Sequence, residues 1–282
     1  SVFYSELKPW LVSLFLTTKK FLFLILIAIA IFINFGLSGV FISNIISENL
    51  AVFIFFWIAL KFIKPVYKID ISKVSFIIKQ SFPLFIIITL SIIYTKIDTI
   101  MLAFLCSNIE VGIYNGALQF YNFLFFIPGI LTSFFLPLFS EYYGSNRLQE
   151  LLDSVKYAFK VFTLISIFVA IMGFLLSKPV IIFLFSNKYT PSIEIFKILC
   201  LGIPFAFTNT LIGVILTSLN EQRSLLLPSL VSYLVNISLN IILIPSFRTD
   251  GAAYATVFTQ FSYFLTLFLI YSKIKKQKLI GE

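Results

Sequence analysis

FLFLILIAIAIFINF, the stretch from Phe21 to Phe35, carries one polar side chain, Asn34, in fifteen residues. A soluble helix or strand needs polar residues at regular intervals on its exposed face, so this segment requires lipid as its solvent. The whole chain is similar: 60% of its 282 residues are apolar and 12% are charged, against roughly 45–50% and about 25% in soluble domains. Helices satisfy their own backbone hydrogen bonds in a bilayer. The sequence therefore predicts an all-α, polytopic membrane helix bundle and excludes a water-soluble fold.

The composition also bears on ligands and partners. The net charge of +9 comes from lysines between apolar runs, without interleaved aromatic and basic residues, so we expect no nucleic-acid partner. Cys106 and Cys200 have no CxxC spacing and the chain has no histidine, which predicts no disulfide, no metal site and no cofactor. The sequence has no Gly-x-Ser-x-Gly motif, phosphate-binding loop or close pair of intramembrane carboxylates. We therefore expect a protein that is not an enzyme.

Apolar runs of about 20 residues with charged or turn-rich flanks are typical of transmembrane helices. The chain has eight such runs, which we number one to eight. Their predicted bounds are Lys19–Phe35, Leu37–Phe62, Phe76–Leu105, Glu110–Phe139, Leu151–Ser177, Ser192–Leu219, Leu225–Pro245 and Gly251–Ser272. Pro83, Pro128 and Pro204 lie inside these runs, and a proline removes a helical hydrogen bond, so we expect kinks. The connection from about Lys178 to Pro191 is predicted as a loop.

The distribution of lysine and arginine between alternate helix ends predicts the orientation. Sixteen of these residues lie on the side that includes Lys68 and Lys275, and four on the side that includes Lys188 and Arg248. Cytoplasmic loops carry the excess of positive charge. The visible start and the C-terminus are therefore predicted to face the cytoplasm, with Asn108 and Lys188 on the outside.

An internal repeat indicates how the helices are grouped. A shift of 212 residues matches helices one and two with helices seven and eight, without a gap. The aligned identities are Phe35 with Phe247, Gly39 with Gly251, Lys61 with Lys273 and Lys64 with Lys276. Residues 1–72 would then end a first lobe, and residues 73–282 would form a second, six-helix lobe. We expect four further helices ahead of Ser1; chance similarity between two membrane hairpins is the alternative.

Several stretches resemble polysaccharide repeat-unit flippases of the Wzx type, which transfer O-antigen units. The first is Lys96-Ile-Asp-Thr-Ile-Met-Leu-Ala-Phe-Leu, followed by Glu110-Val-Gly-Ile-Tyr-Asn-Gly-Ala-Leu. The others are Pro137-Leu-Phe-Ser, Leu184-Phe-Ser-Asn-Lys-Tyr, Asn240-Ile-Ile-Leu-Ile-Pro and Asp250-Gly-Ala-Ala-Tyr-Ala-Thr. The resemblance covers nearly the whole chain in order. It departs from the family where Ser186-Asn187 replaces a common Gly before the Lys-Tyr pair.

The resemblance implies a bundle of twelve or more helices in two lobes, related to multidrug and toxin extrusion transporters and lipid II flippases. It also implies a cavity for the sugar and pyrophosphate of an undecaprenyl-linked oligosaccharide. The implied location is the bacterial cytoplasmic (inner) membrane. The implied partners are this lipid-linked oligosaccharide, membrane lipids, a polysaccharide polymerase and a chain-length regulator.

Polar residues inside apolar spans are expensive and usually face the bundle interior, so they are candidates for a transport pathway. Asn115, Gln119 and Asn122 follow i, i+4, i+7 spacing on helix four, and Asn236 and Asn240 follow i, i+4 spacing on helix seven. Both groups are candidates for substrate binding. The alternative is that these amides form interhelical hydrogen bonds that hold the bundle together.

Lys96 and Asp98 give the strongest single signal. They lie two residues apart, about 200° around a helix, so they need different partners. The alternative is that both lie at the outer end of helix three and reach water by snorkelling. Asp98 is about ten residues from the loop at Ser107, roughly 15 Å deep at 1.5 Å per residue, which is too deep for an Asp side chain to snorkel easily. Because the proposed ligand is anionic, Lys96 is predicted to face the cavity. Asp98 is predicted to have a structural or coupling role, held by a donor such as an Asn, a Tyr or a basic residue.

Alternating-access flipping of lipid-linked oligosaccharides is the leading hypothesis. An ion-coupled exporter of cationic drugs would need a cavity with net carboxylate character. A membrane polysaccharide polymerase would need a long outer loop with catalytic residues, whereas the connection near Lys178 is short and apolar. A purely structural scaffold is disfavoured by the buried charges.

Overall fold

A computed structural model describes residues 9–60 and 96–280, and their regular secondary structure is entirely helical. This is the all-α class that the composition predicts. The chain divides into two compact units, residues 1–81 and 82–282. The lobe boundary predicted between residues 72 and 73 lies outside the described residues, as do Lys68 and Pro83.

The first unit contains a helical hairpin. Helix α1 (Pro9–Phe32) and helix α2 (Gly36–Leu60) are joined by a short turn in which Gly36 has φ of 62°. A Cβ on Gly39 would lie 2.8 Å from the Cβ of Ala30, so the absence of a side chain lets the helices approach closely. An ion pair between Lys19 and Glu48 also joins them.

The second unit begins, within the described residues, at helix α3 (residues 96–105). The helices that follow are α4 (Asn108–Leu124), α5 (Phe126–Gly144), α6 (Leu148–Leu175), α7 (Ser177–Phe185), α8 (Ser192–Cys200), α9 (Ile203–Ser218) and α10 (Leu226–Lys275). A short π-helix, Lys276–Ile280, continues α10. Helix α9 lies at the centre, packed against α5, α6 and α10.

Hydrophobic side chains fill the interior of this unit and also cover its outside. Tyr114, Phe139, Phe162 and Phe207 are completely or almost completely buried, whereas many other large apolar side chains are exposed. In the described residues five helical segments are long and apolar enough to cross a membrane, and α8 with α9 makes a sixth if the pair is one span. The chain is a multi-pass membrane protein.

Helix α10 is itself a hairpin, because its backbone breaks at Arg248, where φ is 50° and ψ is −126°. Asn236 donates to Thr259 at 3.2 Å across the two arms. A straight helix would separate these residues by about 35 Å. The break therefore separates predicted helices seven and eight, and we call residues 226–247 and 249–275 the two arms of α10.

The two hairpins each have a residue of positive φ at the register that the sequence repeat predicts. The 212-residue shift aligns Gly36 with Arg248, and both have positive φ. It also aligns Gly39 with Gly251, where an added Cβ would overlap the carbonyl oxygen of Leu243. In each hairpin a glycine just after the turn lets the second helix approach the first.

Three predicted segments differ in detail. Predicted helix four is two helices, α4 and α5, which meet at Phe125. Predicted helix six is the pair α8 and α9, bent by 48°. Pro128 and Pro204 lie in the first turns of α5 and α9, where the missing N–H breaks no helical hydrogen bond. The predicted loop after residue 177 contains α7, a nine-residue helix too short for a hydropathy window to detect.

Candidate functional site

Asp98 is the centre of a buried hydrogen-bond network in the second unit. Its Oδ1 accepts from the side-chain amide of Asn240 at 2.7 Å. Its Oδ2 accepts from the hydroxyls of Thr256 at 2.9 Å and Tyr114 at 3.1 Å. Among residues 9–60 and 96–280, no basic side chain lies within salt-bridge distance of Asp98. Three neutral donors therefore hold this carboxyl group in place of a cation.

The donors come from separate elements that the fold brings together. Tyr114 lies on α4, in the second turn after the α3–α4 connection. Asn240 and Thr256 lie on opposite arms of α10, each eight residues from the break at Arg248. Eight residues correspond to about 12 Å of helix. The hairpin thus places both side chains at the same depth, about 12 Å from its turn.

Further contacts on α10 fix the orientation of Asn240. Its Nδ2 also lies 2.9 Å from the backbone oxygen of Asn236 and 3.2 Å from the side-chain oxygen of that residue. Asn236 in turn donates to Thr259. The Oδ1 atom of Asn240 is buried without a hydrogen-bond partner in the described part of the chain. The network therefore has one unused acceptor beside the carboxyl group.

A cavity of about 410 Å³ lies directly beside this network. Its lining combines one cation, one carboxyl group, several amides and hydroxyls, and apolar side chains. The lining residues are Lys96, Asp98, Leu118, Tyr121, Asn122, Phe125, Asn236, Thr256 and Gln260. Lys96 is exposed, whereas Asp98 is buried. The lysine is therefore the cavity charge that an incoming ligand can reach.

The structure divides the predicted helix-four candidates between three environments. Asn122 lines the cavity and is exposed. Asn115 is half-buried and accepts a 3.0 Å hydrogen bond from Thr99 on α3. Gln119 is exposed and is not part of the cavity lining. Of the three, Asn122 therefore has the position expected of a ligand contact.

The helix-seven candidates are both part of the buried network. Asn236 is buried and also lines the cavity. Asn240 is fully buried, and its amide nitrogen is engaged by Asp98 and Asn236. The geometry of Asn240 is thus that of an interhelical contact, the alternative interpretation of these amides.

Sequence reasoning did not assign Tyr114, Thr256 or Gln260 to the site. Both Tyr114 and Thr256 lie in stretches that carry the family resemblance, Glu110-Val-Gly-Ile-Tyr and Asp250-Gly-Ala-Ala-Tyr-Ala-Thr. A threonine hydroxyl inside a helix commonly bonds the preceding turn, and Thr256 also bonds the carbonyl of Ala252. Only the positions of α3 and α4 relative to α10 identify these residues as partners of Asp98.

The turns at one end of the network are tied together by Glu110. Its Oε2 accepts from the backbone and hydroxyl of Ser107, which forms a capping box at the start of α4. Its Oε1 lies 2.7 Å from the Nε of Arg248 at the α10 turn. One carboxylate therefore caps α4 and joins it to the hairpin that carries Asn240 and Thr256.

The chemistry of the site is recognition by polar contacts. A lysine and amide groups around a cavity suit an anionic, hydroxylated ligand. The carboxyl group with its amide and hydroxyl neighbours offers hard oxygen atoms, the kind that take up a proton or a small cation. In the described residues no group of three or more His, Cys, Asp or Glu side chains is placed to hold a metal ion.

Comparisons with known proteins agree with this architecture. The family model MatE matches residues 83–242, more than half of the chain. A second model, described as polysaccharide biosynthesis protein, matches residues 8–143. No curated protein matches.

A solved structure described as "Lipid II flippase MurJ, inward closed conformation" is similar, with a TM-score of 0.78 at 20% sequence identity. The similarity covers 99% of this chain but 61% of that one, so the chain spans less than two thirds of the flippase. The two proteins share a fold. By its family model, which covers most of the second unit, this multi-pass membrane protein belongs to the MatE family.

Proposed function

We propose that this protein is a transporter, not an enzyme, that flips undecaprenyl-pyrophosphate-linked oligosaccharide repeat units across the bacterial cytoplasmic membrane. The observation that carries the proposal is the cavity beside Asp98, in which Lys96 is the exposed charge. The MurJ-like fold and the polysaccharide-biosynthesis family model support it. The activity would serve surface polysaccharide assembly, including O-antigen.

The lining of the cavity suits the head of such a substrate. A lysine ammonium forms charge-assisted hydrogen bonds with phosphate oxygens. The amides of Asn122 and Gln260 offer donors and acceptors for sugar hydroxyls. Leu118 and Phe125 provide apolar surface for sugar rings. Alternating access would carry the head across while the prenyl chain stays in lipid.

Orientation and partners follow from the same proposal. The excess of lysine and arginine on the side of Lys275 supports a cytoplasmic C-terminus. A polysaccharide polymerase and a chain-length regulator would act on the flipped units outside. The lipid-linked oligosaccharide is the transported partner.

Ion-coupled export of small cationic molecules is the second candidate. It is favoured by the MatE match and by the presence of Asp98 in the cavity lining. Against it, both oxygens of Asp98 already accept hydrogen bonds from protein donors. Removal of the Lys96 charge should strengthen the binding of a cationic substrate and weaken the binding of an anionic one.

The test is the variant Lys96→Gln in the complete protein, in cells that lack the endogenous copy. Deletion should make lipid-linked repeat units accumulate on the cytoplasmic leaflet while their synthesis continues. Lys96→Gln keeps a polar, slightly shorter side chain and removes the charge, and a charge-assisted contact is worth about 1.5–3 kcal/mol. Flipping should therefore fall by roughly 10- to 100-fold at unchanged membrane abundance.

Lys160→Gln is the matched control, because it removes an exposed lysine on α6 that does not line the cavity. It should leave flipping unchanged. Normal flipping by Lys96→Gln would remove Lys96 as a ligand contact. If deletion stops synthesis of the repeat units, the transporter proposal is wrong and an enzymatic role replaces it.

A further inference from the structure

A second pocket lies between the start of α6 and the end of α10, where its residues on α10 come at least twelve residues after Thr256 of the Asp98 network. It has a volume of about 370 Å³. Its polar side chains include Lys156, Lys275, Lys276 and Ser272, and Phe159 and Phe268 form apolar parts of its wall. Nothing in the transport mechanism uses it.

Helical spacing explains why these side chains share a pocket. On the second arm of α10, residues 268, 271, 272, 275 and 276 follow i, i+3, i+4, i+7, i+8 spacing. On α6, residues 152, 155, 156 and 159 follow the same pattern. The ring centroids of Phe159 and Tyr271 are 5.8 Å apart, so α6 and the second arm of α10 contact each other at these two residues.

The pocket changes from basic to aromatic along the helix axes. Lys275 and Lys276 lie about one turn beyond Tyr271 toward the end of α10, and Phe268 lies about one turn before it. Phe268 is exposed. Cations thus occupy the end of the pocket nearer the membrane surface, and an aromatic side chain occupies the end nearer the membrane interior.

The charges that surround the pocket leave it cationic. Lys156 pairs with Asp153 at 3.0 Å. In the described residues neither Lys275 nor Lys276 has an acidic partner. Lys278 is different, because it bonds Glu221 at 2.7 Å and the carbonyl of Leu219. The hydrogen bond from Lys278 lowers the pKa of the Glu221 carboxyl group. Two lysines of the pocket therefore remain available to a ligand.

We infer that this pocket binds an anionic phospholipid, with its phosphate on Lys275 and Lys276 and the first part of an acyl chain against Phe268. Basic pockets between helices at a membrane surface suit anionic headgroups. A free phosphate would use the lysines alone and gain nothing from the aromatic end. The gradient from charge to aromatic surface matches the order of groups along a lipid, which is why we assign a lipid. With the proposed orientation, this lipid lies in the cytoplasmic leaflet.

The experiment measures lipid binding by the purified full chain in an uncharged detergent, without transport. The probe is a fluorescent short-chain phosphatidylglycerol, and phosphatidylcholine with the same chains is the uncharged comparison. Each lysine near an anionic surface contributes about fivefold in affinity. The double variant Lys275→Gln with Lys276→Gln should therefore weaken phosphatidylglycerol binding by about 25-fold.

The matched control is the double variant Lys178→Gln with Lys188→Gln, which removes the same charge from exposed positions outside the pocket. Its affinity should change by less than about threefold, since only general attraction is reduced. Phe268→Ala, which removes no charge, should weaken binding as well and should not alter the preference for the anionic lipid.

Three results would overturn the inference. The first is an equal loss in both double variants, which indicates non-specific attraction. The second is equal binding of phosphatidylcholine. The third is displacement of the probe by millimolar inorganic phosphate with no effect of Phe268→Ala, which indicates a site for a soluble anion. None of these results bears on the flipping proposal, because the readout does not involve the oligosaccharide.

Discussion

Gly251→Ala tests whether the close approach of the two α10 arms holds the Asp98 network together. Gly251 lies three residues beyond the break at Arg248. An added Cβ would overlap the carbonyl oxygen of Leu243 and lie 2.7 Å from its carbonyl carbon. Both are backbone atoms, so no rotamer change relieves the contact. The second arm must move away from the first.

The size of the effect follows from that geometry. Ordinary contact begins near 3.4 Å, so the carbonyl carbon alone requires the arms to separate by about 0.7 Å, and the nearer carbonyl oxygen requires more. Overpacking of this kind costs about 1–3 kcal/mol. The 3.2 Å bond from Asn236 to Thr259 would lengthen beyond hydrogen-bonding distance, at a cost of about 0.6 kcal/mol. Alanine regains up to about 1 kcal/mol of helix propensity, which leaves a net loss of about 1–3 kcal/mol.

The assay is thermal unfolding of the purified protein. Unfolding is monitored by the reaction of the buried Cys200 thiol with a fluorogenic reagent. A loss of about 2 kcal/mol lowers Tm by roughly 4–8 °C in a chain of about this size. Gly213→Ala is the matched control, because a Cβ there would meet nothing within 4 Å. It should raise Tm by about 1–4 °C through helix propensity. A Tm for Gly251→Ala that equals or exceeds that of Gly213→Ala would refute the close-approach reasoning.

Three further predictions concern the Asp98 network, the link that Glu110 makes between α4 and the α10 hairpin, and the orientation of the chain in the membrane. Asp98→Leu should lower Tm more than Asp98→Asn. Asparagine still accepts a hydrogen bond from an amide and donates to hydroxyls, whereas leucine leaves the donors unsatisfied, at a cost of about 1–3 kcal/mol each. Equal Tm values for the two variants would contradict the network. Glu110→Ala should lower the free energy of unfolding by about 1–2 kcal/mol, because it removes the capping box and the ion pair with Arg248. Glu110→Gln should lower it by less than about 1 kcal/mol, because glutamine keeps the capping box and loses only the half-exposed ion pair. In a variant without native cysteines, a cysteine at position 188 should react with an impermeant reagent in intact cells and one at 275 should not; the reverse pattern would invert the topology.

Much of the fold followed from local sequence. Hydropathy located the long helices of the described residues, whereas predicted helix three lies outside them up to residue 95. The break at Arg248 falls in the gap predicted between Pro245 and Gly251. The register of the repeat, from Gly36 to Arg248, is visible in both turns. Short features were missed, such as α7 and the junction at Phe125, because a nine-residue helix or a single irregular residue barely changes a window of about 20 residues.

The site was predicted less completely. Spacing within one helix gives the face on which a side chain lies, and it places Lys96 and Asp98 about 200° apart. Both nevertheless line the same cavity, Lys96 as an exposed side chain and Asp98 as a buried one. It does not give the neighbouring helix that the face meets. Gln119 and Asn122 illustrate this point, since both lie on one predicted face but only Asn122 lines the cavity.

The sequence by itself determined that this chain is a bundle of membrane helices, because lipid solvation imposes long apolar runs that any reading of composition detects. It also predicted that Asp98 is held by other helices, because an acidic side chain about 15 Å deep needs donors that its own helix does not supply. Only the tertiary structure decided that those donors are Tyr114, Asn240 and Thr256. Asn240 and Thr256 are 142 and 158 residues away along the chain, and they reach the carboxyl group because a sharp turn at Arg248 folds α10 back on itself beside α3 and α4.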